Sequence, residues 1–172
     1  MKRCVLLVAA MFLLGNLLAQ GQYEIIKPPS GSLIFKGVLS RDILQNEPSF
    51  TWLKNDISWY KPNADCVQLL GQLKDSIHLV VFAGTWCEDS HNVLPQFFKL
   101  LDEAKFPAGS LSVIGVDRSK RTLGYLSEAL NIKNVPTILV MKNGKEVGRV
   151  VEYGKYGVYD KELAEVLTAA KH

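Results

Sequence analysis

Apolar and polar residues follow helix and strand periods from residue 63 onward. Apolar side chains recur on one side of residues 63–74, which predicts a helix there. A continuous apolar run begins at Ile77 (IHLVVFAG), and a second one occupies residues 111–117 (LSVIGVD). Short apolar runs rich in β-branched residues predict strands that are covered on both faces.

Three further segments have the pattern of amphipathic helices. The first runs from residue 87 to about residue 105, and Pro95 inside it should introduce a kink. Residues 122–130 fit a second helix. A last helix is predicted in KELAEVLTAA, with Asp160 as its N-cap.

A hairpin signal lies in PTILVMKNGKEVGRVVE, where two strand-like runs meet at Asn143 and Gly144. The predicted order is therefore a leading helix followed by strand, helix, strand, helix, strand, strand and helix. This order predicts an α/β fold. Its mixed central sheet has helices on both faces, is parallel in its first part, and ends in an antiparallel hairpin.

Residues 1–21 have the pattern of a secretory signal peptide. A basic start at Lys2 and Arg3 precedes an apolar run and the small residues Ala19 and Gly21. An uncleaved membrane anchor is the alternative, although the apolar run is short for a membrane span. We therefore expect a periplasmic or secreted protein that meets the membrane only through this transient segment.

Residues 22–62 contain many turn-forming residues, and their apolar pieces alternate poorly. We expect an N-terminal extension that packs on the surface of the domain. Residues 63–172 then form that domain, and a chain of 172 residues suits one domain with extensions.

The composition, 48% hydrophobic and 22% charged, is that of a globular protein. A net charge of +3 without a long basic block gives no reason to expect a nucleic-acid partner. Removal of the signal peptide leaves Cys66 and Cys87, which are too few for a disulfide framework.

Three features in order carry a family resemblance. Trp86 and Cys87 stand between a buried strand and a helix, Pro95 follows eight residues later, and Val135-Pro136 begins a later strand. From about residue 63 to residue 170 the chain resembles thioredoxin-fold proteins. TWCEDS, with GVDRSK and NVPTILVMKNGKEVGRVVEYGK, is similar to exported bacterial thioredoxin-like proteins that have one active-site cysteine.

The resemblance implies a site around Cys87. It implies a cis Val135-Pro136 bond that faces the cysteine and pairs with an extended substrate, whereas a trans proline at an edge strand is the alternative. Trp86 would shield the sulfur and border the substrate groove. Ser90 stands where the family has its second cysteine, and Val81 stands where it has a buried acid.

A cysteine at the start of a helix meets free N–H groups and the positive end of the helix dipole, which stabilise a thiolate. Cys87 is therefore the candidate nucleophile, although the charges of Glu88 and Asp89 act in the opposite direction. We expect the hydroxyl of Ser90 to donate to the sulfur. Because Ser90 cannot attack a mixed disulfide, exchange would stop at the adduct until an outside thiol, or Cys66, releases it.

Several other residues near the predicted site have both a functional and a purely structural interpretation. Cys66 is either a small core residue or a thiol with a resolving or intermolecular disulfide role. His91 is expected to be a solvated helix residue, because the sequence offers too few ligands for a metal site. Asp117, Arg118 and Lys120 are expected near the same sheet edge, where a solvated loop is the simpler interpretation.

Two functions are consistent with these residues. The first is a thiol-disulfide oxidoreductase that uses Cys87, acts on protein or small-molecule thiols and disulfides, depends on an external reductant, and requires no cofactor or metal. The second is a non-catalytic thioredoxin-fold module that binds peptides beside Trp86 and Pro136. A peroxidase is a weaker third hypothesis, supported only by Thr85.

Overall fold

The computed structural model of the protein describes residues 22–171. The signal peptide predicted at residues 1–21 lies outside the described residues. Among the residues that are described, none of the helices has the length and apolar character needed to cross a membrane.

The described residues form a six-stranded mixed sheet with the strand order β1-β2-β4-β3-β5-β6. Only β3 and β4 pair in parallel, and the other neighbouring strands are antiparallel. The strands are β1 (Tyr23–Ile26), β2 (Ile34–Leu39), β3 (His78–Ala83), β4 (Leu111–Gly115), β5 (Thr137–Lys142) and β6 (Lys145–Val151).

The helices connect these strands and cover the sheet. They are α1 (Arg41–Gln45), α2 (Ala64–Leu73), α3 (Glu88–Glu103), α4 (Leu126–Ala129) and α5 (Tyr159–Ala169) within the described residues. Short 3-10 turns occupy Thr51–Lys54, Ala108–Ser110 and Leu123–Tyr125.

Side chains of the central strands alternate between two apolar clusters, as a two-residue period requires. Val81 and Ile138 point into the larger cluster, which lies under α2, α3 and α5. Phe82 and Leu139 point into the smaller cluster, which α4 and its flanking loops cover. The sheet therefore has helices on both faces, and the predicted fold class is confirmed.

Part of the N-terminal extension belongs to the central sheet. Strands β1 and β2 continue the central sheet at its β4 edge, so the prediction of a purely surface segment is wrong for this part. Gly37 in β2 has a φ of 122°, and a Cβ there would collide with the backbone of Gln22. This glycine interrupts the apolar alternation that normally reveals a strand.

Two predicted helices differ from those in the structure. Residues 122–130 form a 3-10 turn followed by the short α4. A continuous helix is interrupted because Gly124 (φ 66°) and Tyr125 (φ 57°), the last two residues of the turn, adopt left-handed conformations. In the last helix, Asp160 is not the N-cap. Helix α5 begins at Tyr159, and Val158 occupies the cap position without a side-chain hydrogen bond.

Asp160 is instead buried and joins the extension to the domain. Its carboxylate accepts hydrogen bonds from the Tyr60 hydroxyl at 2.7 Å and from the backbone N–H of Asn63 at 2.9 Å. The hydroxyls of Tyr60 and Tyr159 are 2.8 Å apart. Burial raises the pKa of Tyr60 and of Tyr159, so both phenols stay protonated and can donate in this network.

Candidate active site

Cys87 lies between the end of β3 and the first residue of α3, at the N-cap position. Its N–H donates to the carbonyl of Gly84 at 2.9 Å, and its carbonyl accepts the N–H of His91 at 3.0 Å. The side chain is half-buried and makes no cap hydrogen bond. Its Sγ donates to the carbonyl oxygen of Val135 at 3.4 Å, which brings the thiol to the loop before β5.

The peptide bond between Val135 and Pro136 is cis. Both residues are buried, and the carbonyl of Pro136 accepts the N–H of Glu152 at 2.7 Å. The hydroxyl of Thr137 donates to the carbonyl of Asn134 at 2.8 Å. These contacts hold the backbone that faces the thiol in one conformation.

Ser90 is fully buried one turn after Cys87. Its Oγ accepts the N–H of Gly84 at 3.2 Å, so this side chain braces the turn between β3 and α3. No hydrogen bond joins Ser90 to Cys87, both of which belong to the described part of the chain. The expectation that Ser90 donates to the sulfur is therefore wrong, because its hydroxyl faces the backbone of the turn.

Trp86 folds back over the turn that precedes Cys87. Its Nε1 donates to the carbonyl of Val116 at 3.0 Å, and its indole packs on the smaller apolar cluster. A Cβ on Gly84 would lie 2.8 Å from the indole, so only glycine fits beneath it. The Arg118 guanidinium and Lys120 Nζ lie 5.2 Å and 5.7 Å from the ring centroid, within cation–π range.

Thr85 links the N-terminal extension to this turn. Its buried Oγ1 donates to the carbonyl of Leu33 at 2.7 Å and accepts the N–H of Phe35 at 3.1 Å. Its own carbonyl oxygen lies 2.8 Å from Nε2 of His91. Because a carbonyl only accepts, Nε2 of His91 carries the proton.

The sequence led us to expect a solvated helix residue at His91, and the structure shows that this expectation is wrong. Its ring is half-buried and stacks on Trp52 with a centroid distance of 4.4 Å and an interplanar angle of 17°. Trp52 belongs to the 3-10 turn in the extension. The extension therefore supports the active-site turn from two directions, through Thr85 and through His91.

Tyr153, which follows β6, is a site neighbour that sequence reasoning missed. Partial burial raises the pKa of its hydroxyl, and the nearby acidic side chain of Asp89 adds to the rise, whereas a hydrogen bond from Asn92 opposes it. Nδ2 of Asn92 lies 3.1 Å from the Tyr153 oxygen. No sequence signal could have found it, because one tyrosine after a strand has no characteristic spacing to the cysteine.

Cys66 is fully buried on α2 within the larger apolar cluster, whereas Cys87 packs against the smaller one. Both cysteines are free, and burial raises the pKa of the Cys66 thiol. A resolving thiol must reach the mixed disulfide as a thiolate. The observed position therefore argues against direct resolution by Cys66 and favours the alternative of a core residue.

Metal ligation finds no support among residues 22–171. No group of three or more His, Cys, Asp or Glu side chains there is arranged to hold a metal ion.

Comparisons with known proteins show which family this chain resembles. The Thioredoxin family model matches residues 65–165. Thioredoxin-1 of Saccharomyces cerevisiae is 31% identical over 78 residues, which cover 45% of this chain and 70% of that protein. Thioredoxin of Geodia cydonium is 26% identical over 96 residues, covering 56% of this chain and 85% of that protein.

Among solved structures, that of oxidised thioredoxin O2 from Arabidopsis thaliana is 22% identical, with a TM-score of 0.39. The match covers 63% of this chain and 89% of that chain. On the match of the family model, the chain belongs to the thioredoxin family. This membership supports a thioredoxin-like redox function in general terms, with thiols and disulfides as partners.

Proposed function

We propose that the protein is an exported thiol-disulfide oxidoreductase whose single nucleophile is Cys87. The observation that carries this proposal is the position of its Sγ, half-buried at the start of α3 and 3.4 Å from the carbonyl of Val135. The position at the start of a helix, next to its positive dipole end, is one in which reactive cysteines are found.

The reaction has two exchange steps. The Cys87 thiolate attacks one sulfur of a substrate disulfide, a new S–S bond forms to Cys87, and the other substrate sulfur leaves as a thiolate. An external thiolate then attacks the mixed disulfide and releases Cys87. No net oxidant is consumed, because each bond that breaks is replaced by another S–S bond.

The need for an external thiol follows from the neighbours of Cys87. Ser90 has no sulfur and its hydroxyl is committed to Gly84, and Cys66 is sealed in the core. Val81 is fully buried where the family has an acid, so hydrocarbon replaces the proton acceptor. These features support a protein that forms a mixed disulfide and depends on another molecule to finish the cycle.

Val135 and the adjacent cis-proline supply the substrate-binding part of the proposal. The Val135 carbonyl that now accepts from the thiol belongs to backbone that an extended peptide can pair with. Trp86 borders the same surface. The substrate cysteine then lies between these two elements, in line with Sγ of Cys87.

Export is the part of the proposal that rests on sequence alone. The basic and apolar pattern of residues 1–21 supports a signal peptide and a periplasmic or secreted location. Such a compartment maintains disulfides, so substrates for exchange would be present there.

Intact-mass measurement of an adduct tests the proposed chemistry. After incubation with oxidised glutathione, we expect the wild type to gain one glutathionyl group, which Cys87→Ser abolishes. Cys66→Ala is the matched control and should keep the adduct. Equal capture of client proteins by wild type and Cys87→Ser, without any adduct, would instead support a non-catalytic binding module.

A further inference from the structure

The turn that carries Cys87 is closed by one backbone hydrogen bond. The N–H of Cys87 donates to the carbonyl of Gly84 at 2.9 Å, so Thr85 and Trp86 are the central residues of a β-turn. The common turn types differ by a rotation of the peptide between the two central residues, and the type II form requires a positive φ at the second of them. Trp86 has a negative φ, so the Thr85 carbonyl does not point as it would in a type II turn.

His91 binds this carbonyl from the second turn of α3. Its Nε2–H donates to the Thr85 oxygen at 2.8 Å, and no backbone N–H of residues 22–171 donates to the same oxygen. The backbone N–H of His91 also donates to the Cys87 carbonyl at 3.0 Å. One helix residue therefore binds a carbonyl at each end of the segment from Thr85 to Cys87.

The ring of His91 is itself held by aromatic residues of the N-terminal extension. It stacks on Trp52, whose ring centroid lies 5.7 Å from that of Phe50, and the Phe50 centroid lies 4.9 Å from that of Phe35. The N–H of Phe35 then donates to Oγ1 of Thr85 at 3.1 Å. These contacts form a closed cycle that leaves Thr85 through its side chain and returns to it through its carbonyl. Because Phe35 and Phe50 are buried, the cycle is anchored in the core.

The conformation of this turn determines where the thiol lies. In the observed turn, Sγ of Cys87 is 3.4 Å from the carbonyl oxygen of Val135. Rotation of the peptide that follows Thr85 would move Sγ relative to that carbonyl. A small displacement of a reacting group lowers the rate of its reaction, even when the responsible residue does not touch the substrate. The bond from His91 to Thr85 therefore bears on the reactivity of the thiol.

We propose that His91 is a positioning residue for disulfide exchange: its Nε2–H fixes the Thr85 carbonyl, and Trp52 of the extension keeps its ring in place. This inference rests on the proposed exchange at Cys87 and adds the residues that hold the thiol in its reactive position. His91 acts as a hydrogen-bond donor and not as a charge beside the sulfur. The extension is thereby a working part of the active site.

Two substitutions of His91 separate its donor from its ring. The measurement is the second-order rate constant with a chromogenic aromatic disulfide at pH 7, in the Cys66→Ala background. His91→Phe keeps an aromatic ring but has no donor, and we expect its rate constant to fall about 3- to 10-fold. His91→Gln keeps an uncharged N–H donor and should react at a rate close to that of wild type. An unchanged rate in His91→Phe, or equal losses in both variants, would overturn the proposal.

A pair of tryptophan variants tests the part played by the extension. Trp52→Leu removes the ring on which His91 stacks, and it should lower the same rate constant. Trp59→Leu is the matched control, because this indole is 69% exposed in the same segment and should leave the rate constant unchanged. Urea midpoints confirm that each variant is folded under the conditions of the rate measurement. Equal effects of the two substitutions would contradict the role of Trp52.

Amide hydrogen exchange measures the turn without any disulfide. The Cys87 N–H is protected by its bond to Gly84, so its exchange rate reports opening of the turn. We expect faster exchange of this amide in His91→Phe and a rate near wild type in His91→Gln. Unchanged protection in His91→Phe would overturn the positioning role. A wild-type protein that fails to react with disulfides would instead contradict the proposed function, and the exchange rates would still decide whether His91 holds the turn.

Discussion

Thr85 Oγ1 donates a hydrogen bond to the carbonyl of Leu33 at 2.7 Å. The residue two positions before the candidate nucleophile is thereby fixed to the segment that leads into β2. The extension is thus a structural support of the site, in addition to forming two strands of the sheet. Removal of the extension would leave the buried hydroxyl of Thr85 without these two hydrogen-bond partners.

The Thr85 contacts lead to a prediction about stability. Thr85→Val keeps the side-chain shape but leaves the buried N–H of Phe35 and the carbonyl of Leu33 unpaired. We expect the free energy of unfolding to fall by about 1–3 kcal/mol, measured by urea denaturation. Thr168→Val, on an exposed face of α5, is the control and should change it little. Equal effects of the two substitutions would show that the link to the extension adds no stability.

Tyr60 should stabilise the junction between the extension and α5. Tyr60→Phe removes the donor to Asp160 and the contact with the Tyr159 hydroxyl in a buried site. We expect a loss of about 1–3 kcal/mol in the free energy of unfolding. Tyr156→Phe removes an exposed hydroxyl and should leave stability close to wild type. A Tyr60→Phe protein as stable as Tyr156→Phe would contradict this role.

Asp117 should make stability depend on pH in the acid range. Partial burial acts to raise the pKa of Asp117, but hydrogen bonds from the Arg121 N–H and from Lys36 outweigh it, and the net shift is downward. An aspartate in the unfolded chain has a pKa of about 3.9. The stabilisation is therefore complete above that pH and is lost as pH falls through the lower folded pKa.

Urea denaturation of wild type and Asp117→Asn at several pH values tests this linkage. The variant should be less stable than wild type at pH 6, and the difference should shrink below about pH 3.9 as the carboxylate takes up its proton. Other acidic groups titrate in the same way in both proteins, so their contribution cancels in the difference between the two free energies of unfolding. A difference that stays constant across this range would contradict the assigned role of Asp117.

Much of the fold is visible in the sequence because its signals are local. The apolar runs that form β3 and β4, the Asn143-Gly144 turn and the stripe on α3 each depend on neighbouring residues. Strand β2 is hidden because Gly37 interrupts its pattern, and the helix at 122–130 is shorter than its pattern predicts because Tyr125 adopts a left-handed conformation that its residue type does not suggest. Both differences come from positive φ angles at single residues, which the pattern of apolar side chains does not indicate.

Some residues of the candidate site can be predicted from the sequence, and others cannot. The positions of Cys87 and Val135 follow from the order of elements, which a sequence reveals. The roles of Thr85 and Tyr153 depend on partners 52 and 61 residues away in the chain, at Leu33 and Asn92. The spacing of Ser90 predicts a contact with the sulfur, yet the turn itself takes its hydroxyl. Side-chain hydrogen bonds between distant segments have no periodic signal.

The missing second thiol gives a prediction about turnover. Ser90→Cys restores the C-x-x-C spacing, so an internal thiolate can attack a mixed disulfide at Cys87. We expect release of a glutathionyl group from this variant at least about tenfold faster than from wild type without added thiol, because the attack becomes intramolecular. Intact mass against time measures it, with Ser90→Ala as the control. Equal release rates would show that the missing cysteine does not limit the cycle.

The most direct test is the second-order rate constant for Cys87 with a chromogenic aromatic disulfide at pH 7, measured by stopped flow. The Cys66→Ala background isolates the signal of Cys87, and N-acetylcysteine is the reference thiol. We expect Cys87 to react faster than the reference, because its half-buried Sγ lies at the N-cap of α3, next to the positive end of the helix dipole. A rate at or below the reference, or one unchanged by Cys87→Ser, would contradict a nucleophilic role for this cysteine.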